Sequence, residues 1–235
     1  MNRIKAVVFD TFGTVVDWRS SITEDLRAFG RRKGIDIPWE RFVDEWRTAY
    51  KPGMDAVRGG VWPWTRVGEI YRSKLEAMLP KYGIDTLTED EKSYLNHAWH
   101  RLNPWPDSVA GLARLKKRYV ISTLSNADVG CLVDMAKHAG LPWDLILCAE
   151  IFRHYKPDPE IYQGAIELLN LGPDEIMLVA AHNYDLRAAR SHGMRTAFVR
   201  RATEYGPTQE TDLGAEEDWD IVVNDLLELA DALGC

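Results

Sequence analysis

The chain has 235 residues, 46% of them hydrophobic and 28% charged, enough for one large core or for a core with a smaller satellite domain. A net charge of −7 argues against a nucleic-acid partner, because phosphate binding needs a basic face, so an anionic substrate would require a local basic pocket. No apolar run approaches the roughly 18 residues that span a bilayer, residues 6–9 are too short for a signal peptide, and the three cysteines (Cys131, Cys148, Cys235) are odd in number and lack metal-like spacing. Reduced thiols and a cytoplasmic location are expected.

Residues 4–9 (IKAVVF) read as a strand that runs into the turn Asp10-Thr11-Phe12-Gly13-Thr14. Residues from about 15 to 103 contain no clear strand. They carry amphipathic stretches at 22–33, 39–50, 67–82 and 88–102, so a helical insert after the first strand is expected. The Pro-rich return at 103–107 (NPWPD) reads as a hinge-like linker. Beyond it, strand-like runs at 119–124, 145–148, 176–181, 196–199 and 221–223 alternate with helical stretches at 108–117, 129–139, 159–169 and 184–191. Alternation of this kind predicts an α/β fold: a Rossmann-like, doubly wound parallel sheet. The expected division is a catalytic core of residues 1–14 and 104–235 with a helical cap of residues 15–103. In such sheets the ligand site lies at the carboxyl ends of the strands, where the strand order reverses.

Four groups fall at those ends: Asp10 after the first strand, Ser125-Asn126 after the second, Lys156 before a helix, and Asp185 after the run 176–181. Taken singly, Asp10 reads as a turn residue, and Lys156-Pro157-Asp158-Pro159 as a helix entrance with Asp158 as N-cap. Together, a carboxylate, a hydroxyl, an ammonium and a second carboxylate make a nucleophilic site. In it the lysine and hydroxyl hold Asp10 ionised and turned, and Asp185 positions a water.

This set resembles the four motifs of the haloacid dehalogenase superfamily over nearly the whole chain, and within it most resembles the L-2-haloacid dehalogenases. The first motif there reads Asp-x-Tyr/Phe-Gly-Thr, and Tyr162 stands six residues after the lysine, as in those enzymes. Phe12 separates the subfamilies chemically. Phosphatases of the superfamily resemble Asp-x-Asp, whose second carboxyl protonates a departing alkoxide; a halide leaves without a proton. The resemblance implies attack by Asp10 on the halogen-bearing carbon and then hydrolysis of the resulting ester. Asp185 and Lys156 would act on the water, and Thr14 and Ser125 would bond the Asp10 or substrate carboxylate.

The resemblance further implies a halide-binding arginine at Arg47, with Asn126 and Tyr184 as the other halide contacts. Thr11, Phe12, Asn183, Tyr162 and Tyr50 complete the expected substrate-contacting set. Lys51 could reach the substrate carboxylate, and Trp62 and Trp64 could wall the site or belong to the cap core. In the fourth motif Ala180 and His182 depart from the more common Ser and Asn. A neutral His182 imidazole could donate to Asp10, the water or the halide. With Tyr184 it resembles a subgroup with compact halide pockets and some activity on fluoroacetate.

No metal and no cofactor are expected, and the partner is a small 2-haloacid. L-specificity and a possible homodimer are carried by the resemblance alone. Two rivals remain at this level. One is a magnesium-dependent phosphatase, in which Asp10 and Asp185 would hold the ion. The other is a binding scaffold without activity, against which buried charges without a task count.

Overall fold

The computed structural model describes residues 3–235. Strand β1 (Ala6–Phe9) is completely buried, as expected of four consecutive apolar residues in the middle of a sheet covered on both faces. The chain then makes the short ribbon strand β2 (Val16–Asp17) and enters helix α1 (Trp18–Lys33). Asp17 caps α1 by accepting the Ser20 N–H at 3.0 Å, and Gly34 closes it in the left-handed conformation.

Helices α2 (Trp39–Arg47), α3 (Tyr50–Arg58), α4 (Val67–Met78) and α5 (Glu89–Asn96) follow, with short 3₁₀ turns after α4 and α5. The sequence reading ran α2 through to residue 50 and missed α3. The chain instead breaks at Thr48-Ala49 and starts a new helix, in whose first turn Pro52 needs no N–H partner.

The return strand β3 (Asn103–Pro104) pairs antiparallel with β2. The Trp105 N–H donates to Val15 O, the Trp105 indole to Gly13 O, and the Ser108 hydroxyl to Val15 O. The expected hinge-like linker is therefore a tied neck. After it come α6 (Ser108–Leu115), β4 (Val120–Ser125), α7 (Val129–Ala139), β5 (Leu145–Cys148), α8 (Ala149–Phe152), α9 (Pro159–Leu169), β6 (Ile176–Ala180), α10 (Asn183–Ser191), β7 (Arg195–Val199), β8 (Ile221–Val223) and α11 (Leu226–Ala232).

The six long-range strands form one parallel sheet in the order β5-β4-β1-β6-β7-β8. The chain winds outward from β1 in one direction through β4 and β5, then in the other through β6, β7 and β8. The reversal falls at β1, so the crevice opens directly above Asp10.

An aromatic cluster joins the helical segment to this crevice. Tyr71 stacks on Trp99 with ring centroids 3.9 Å apart, Trp46 and Trp18 flank Trp99, and Phe12 meets it edge-on at 6.3 Å. Contacts of this kind add to the apolar burial and fix ring orientation. Among the described residues no helix is long and apolar enough to cross a membrane.

Candidate active site

Asp10 follows β1 directly, and its N–H stays on the ladder by donating to Val179 O at 3.0 Å. Its two carboxylate oxygens have different surroundings. Oδ1 accepts one bond, from Lys156 Nζ at 2.9 Å. Oδ2 accepts two, from Thr14 Oγ1 and from His182 Nδ1, both at 2.9 Å. Thr14 is itself aimed by the Ala181 N–H, which donates to its hydroxyl at 2.9 Å.

Lys156 also contacts Asp185 Oδ2, and Tyr162 donates to Asp185 Oδ1 at 2.6 Å. Asn126 holds the lysine backbone from both sides: its Oδ1 accepts Lys156 N–H at 2.6 Å and its Nδ2 donates to Lys156 O at 3.2 Å. Beyond His182, the Nε2 edge meets Glu204 Oε2 at 2.9 Å, and Trp18 Nε1 donates to Glu204 Oε1 at 3.0 Å.

These buried charges set one another's protonation. Burial alone would raise the Asp10 pKa, but Lys156 and His182 outweigh it and hold the carboxyl well below its usual range. Burial, helped by the Asp10 charge, moves Asp185 the other way in spite of Lys156. Lys156 is desolvated yet held protonated by its two carboxylates. The same contest decides His182: burial opposes its charge, and Glu204 and Asp10 restore it, raising its pKa well above the ordinary value. The neutral imidazole expected at this position is therefore corrected to an imidazolium, because both ring nitrogens face carboxylates that can only accept.

A cavity of about 560 Å³ opens over Asp10, within the usual range for a small-molecule site. Phe12, Lys156 and His182 line it beside Asp10, and Arg47, Tyr50 and Met54 line it from the helical segment. Arg47 donates to Tyr71 Oη at 2.5 Å and lies over the Tyr50 ring at 3.7 Å; it makes no ion pair among the described residues. Tyr184 lines the cavity at its mouth, 42% exposed. Lys51 is at the rim, paired with Asp55.

Several expected contacts lie elsewhere. Asn183 spends its side chain on Asp212, Gly214, the Glu216 N–H and the Trp219 indole, pinning the loop before β8, and does not line the cavity. Asn126 is engaged with Lys156 and lies 3.4 Å from Met54 Sδ, behind the cavity wall. Tyr162 is buried against Asp185 and cannot meet a ligand. Thr11 and Ser125 are buried with hydroxyls that have no partner in the structure, and neither lines the cavity. Trp62 is an exposed surface residue, and Trp64 stacks on Tyr155 at 4.9 Å.

The lining or supporting groups Met54, Asp55, Arg58, Glu204 and Tyr205 are not among the residues expected from the sequence. Arg58 reaches across from α3 to donate to Lys156 O at 3.0 Å and to Asp158. Glu204 and Tyr205 follow β7, so the same strand-end logic that found Asp10 could have found them.

A divalent cation of the kind used by phosphatases of this architecture would need Asp10 and Asp185 as ligands. Here the Lys156 ammonium bridges those two carboxylates, and their other oxygens take Thr14, His182 and Tyr162. A cation placed between them would sit against a buried ammonium, so the donor set does not fit one.

The chain belongs to the haloacid dehalogenase-like hydrolases: the model of that family matches residues 4–193. Among solved structures it is similar to the L-2-haloacid dehalogenase PA0810, at 50% identity and a TM-score of 0.95 over 98% of both chains. It is also similar to the defluorinating L-2-haloacid dehalogenase Rha0230, at 44% identity and a TM-score of 0.95, covering 99% of this chain and 96% of that one. An L-2-haloacid dehalogenase from Xanthobacter autotrophicus, solved with chloropropionic acid covalently bound, matches at 25% identity and a TM-score of 0.79 over 98% of both chains.

Proposed function

We propose that the protein hydrolyses short 2-haloacids, haloacetates and L-2-halopropionate among them, to 2-hydroxy acids through an ester on Asp10. The observation that carries this reading is the asymmetry of the Asp10 carboxylate. Oδ2 takes two donors and Oδ1 a single one, and Asp10 lines the cavity. Oδ1 is the nucleophile. It bonds to the carbon bearing the halogen from the side opposite the halogen, and the halide leaves with the bonding pair.

Phe12 stands where a phosphatase would need an acid, and a halide needs none. Arg47, free of a carboxylate partner, receives the anionic end of the substrate or the departing halide, with Tyr50 and Tyr184 closing around it. The covalent chloropropionic acid adduct of the Xanthobacter autotrophicus enzyme supports an ester route on this fold.

In the second step Asp185 takes a proton from the attacking water, and Lys156 gives one to Oδ1 as the hydroxy acid departs. The Lys156–Asp185 contact then returns the proton. The segment of residues 15–103 acts as a cap over a core of residues 1–14 and 104–235. No cofactor takes part, and the reaction is that of a cytoplasmic enzyme.

Similarity to a defluorinating relative supports fluoroacetate as a substrate. Fluoride is strongly hydrated and needs close donors as it departs.

Halide release from chloroacetate and fluoroacetate in the presence of EDTA tests the reading. The wild type is expected to release halide, and Asp10→Asn to lose about 10⁴-fold or more of that rate. Release of no halide, with magnesium-dependent cleavage of a phosphate ester instead, would overturn it.

A further inference from the structure

Glu204 lies five residues beyond the end of β7, outside the four motifs, yet it is built into the site. Its carboxylate is buried between His182 and Trp18. Room for it comes from Gly13, whose φ is +83°: a Cβ there would stand 2.1 Å from the Glu204 carboxyl carbon. The turn behind the nucleophile thus excludes a side chain in favour of this carboxylate. Around the His182 ring stand Asp10 and Glu204 as hydrogen-bond partners and the Tyr184 ring at 5.9 Å, and Tyr205 and Arg47 line the same cavity.

We propose that Asp10 Oδ2 is the oxyanion oxygen of ester hydrolysis, that His182 and Thr14 form its oxyanion hole, and that Glu204 is the positioning residue that keeps His182 a charged donor. The inference rests on the Asp10-ester reading above.

The argument follows the charge through the two steps. In the resting site the His182 imidazolium has two carboxylate partners. Once Oδ1 is esterified, Asp10 is neutral and its Oδ2 is only a carbonyl oxygen. With Asp10 its sole partner, His182 would lose the charge that holds its second proton at that moment; the Glu204 carboxylate on Nε2 stays in place and retains it.

Water oxygen then bonds to the Asp10 carboxyl carbon, the carbonyl π pair moves onto Oδ2, and the water proton passes to Asp185. Collapse re-forms the carbonyl and breaks the bond from the carboxyl carbon to Oδ1. The 2-hydroxy acid leaves with Oδ1 and a proton from Lys156, Asp185 returns its proton to Lys156, and the second water proton leaves the new Asp10 oxygen for solvent as the carboxylate re-forms. On passing from the ester to the tetrahedral state Oδ2 gains a full negative charge, so the two donors there bind that state more tightly than the ester.

The experiment is rapid-quench turnover of chloroacetate by wild type and Glu204→Gln, with halide counted and the intact protein mass recorded. The glutamine keeps the shape and the Trp18 contact while removing the charge. Glu204→Gln is expected to give an unreduced first-turnover burst of halide, a steady-state rate lower by about 10²-fold, and protein carrying a carboxymethyl ester. Its activity should acquire a falling alkaline limb near ordinary histidine titration, which Glu204→Asp reverses in part.

A wild-type burst and steady-state rate, or a slowed burst without ester, overturns the assignment while leaving the dehalogenase reading intact. Absence of halide release from the wild type overturns both. Should Glu204→Gln fail to fold, His182→Ala, which removes the donor from Oδ2, should stall at the same ester; turnover without accumulated ester overturns the proposal.

Discussion

The two walls of the cavity are built on opposite plans. On the sheet side, every charged group is paired: Asp10 with Lys156 and His182, Lys156 also with Asp185, His182 also with Glu204. On the helical side, Arg47 is held by rings and a phenol and makes no ion pair among the described residues. Paired charges are fixed in place and in protonation state, which suits groups that make and break bonds. A cation held by aromatic faces keeps its charge available, which suits a group that receives an anion. Under the proposed function, reaction belongs to one wall and recognition to the other.

The comparison can be broken first at its densest point. Lys156→Met removes the cation shared by Asp10 and Asp185, leaving two buried carboxylates face to face. Halide release is expected to fall by about 10³-fold, and the pH profile to show a carboxyl that now titrates well above its usual range. A loss confined to KM would place Lys156 among the recognition groups and dissolve the distinction.

The recognition wall should respond differently. Arg47→Met should raise KM for haloacetate by about 10- to 100-fold, the worth of a charge-assisted contact, while the protein remains folded because no buried carboxylate is orphaned. A drop in single-turnover rate at saturating substrate, with KM unchanged, would show that Arg47 belongs with the reacting groups.

The smallest effect tests the seam between the walls. Asp128 precedes α7 in the core but accepts the Gly68 N–H at 3.0 Å at the start of α4. Burial, with the nearby Glu150 charge, pushes its pKa up to about 6 from 3.8. The folded state therefore keeps a proton that the unfolded chain has lost, and stability falls as pH rises between those two values. Asp128→Asn should remove on the order of 1–2 kcal/mol of that fall, seen as a higher melting temperature at pH 8, with KM unaltered. An unchanged melting temperature at pH 8 would show the seam carries no such cost.

Much of this was legible from residue patterns. Short apolar runs between turn signals placed β5 and β8 to the residue and β1 with two residues too many at its start. Asp10, Lys156 and Asp185 were legible because strand ends are where such a sheet puts its chemistry.

Glu204 was not, since a loop residue pointing back across the sheet leaves no periodic trace. Asn183 misled for a related reason. It begins α10 next to pocket residues, but the first turn of a helix sends neighbouring side chains in different directions, and its amide faces the loop before β8. His182 was placed correctly and assigned the wrong charge, because its second partner was the residue no pattern revealed.

The ribbon of β2 and β3 carries one more consequence. Its strands lie a single ladder spacing apart, roughly 4.8 Å. In its connection to the core, the entire helical segment is therefore equivalent to a hairpin loop, and closing a longer loop costs only logarithmically more. What an exchange of that segment would have to rebuild are its contacts across the crevice, Arg58 on Lys156 O, Trp99 on Phe12 and Gly68 on Asp128.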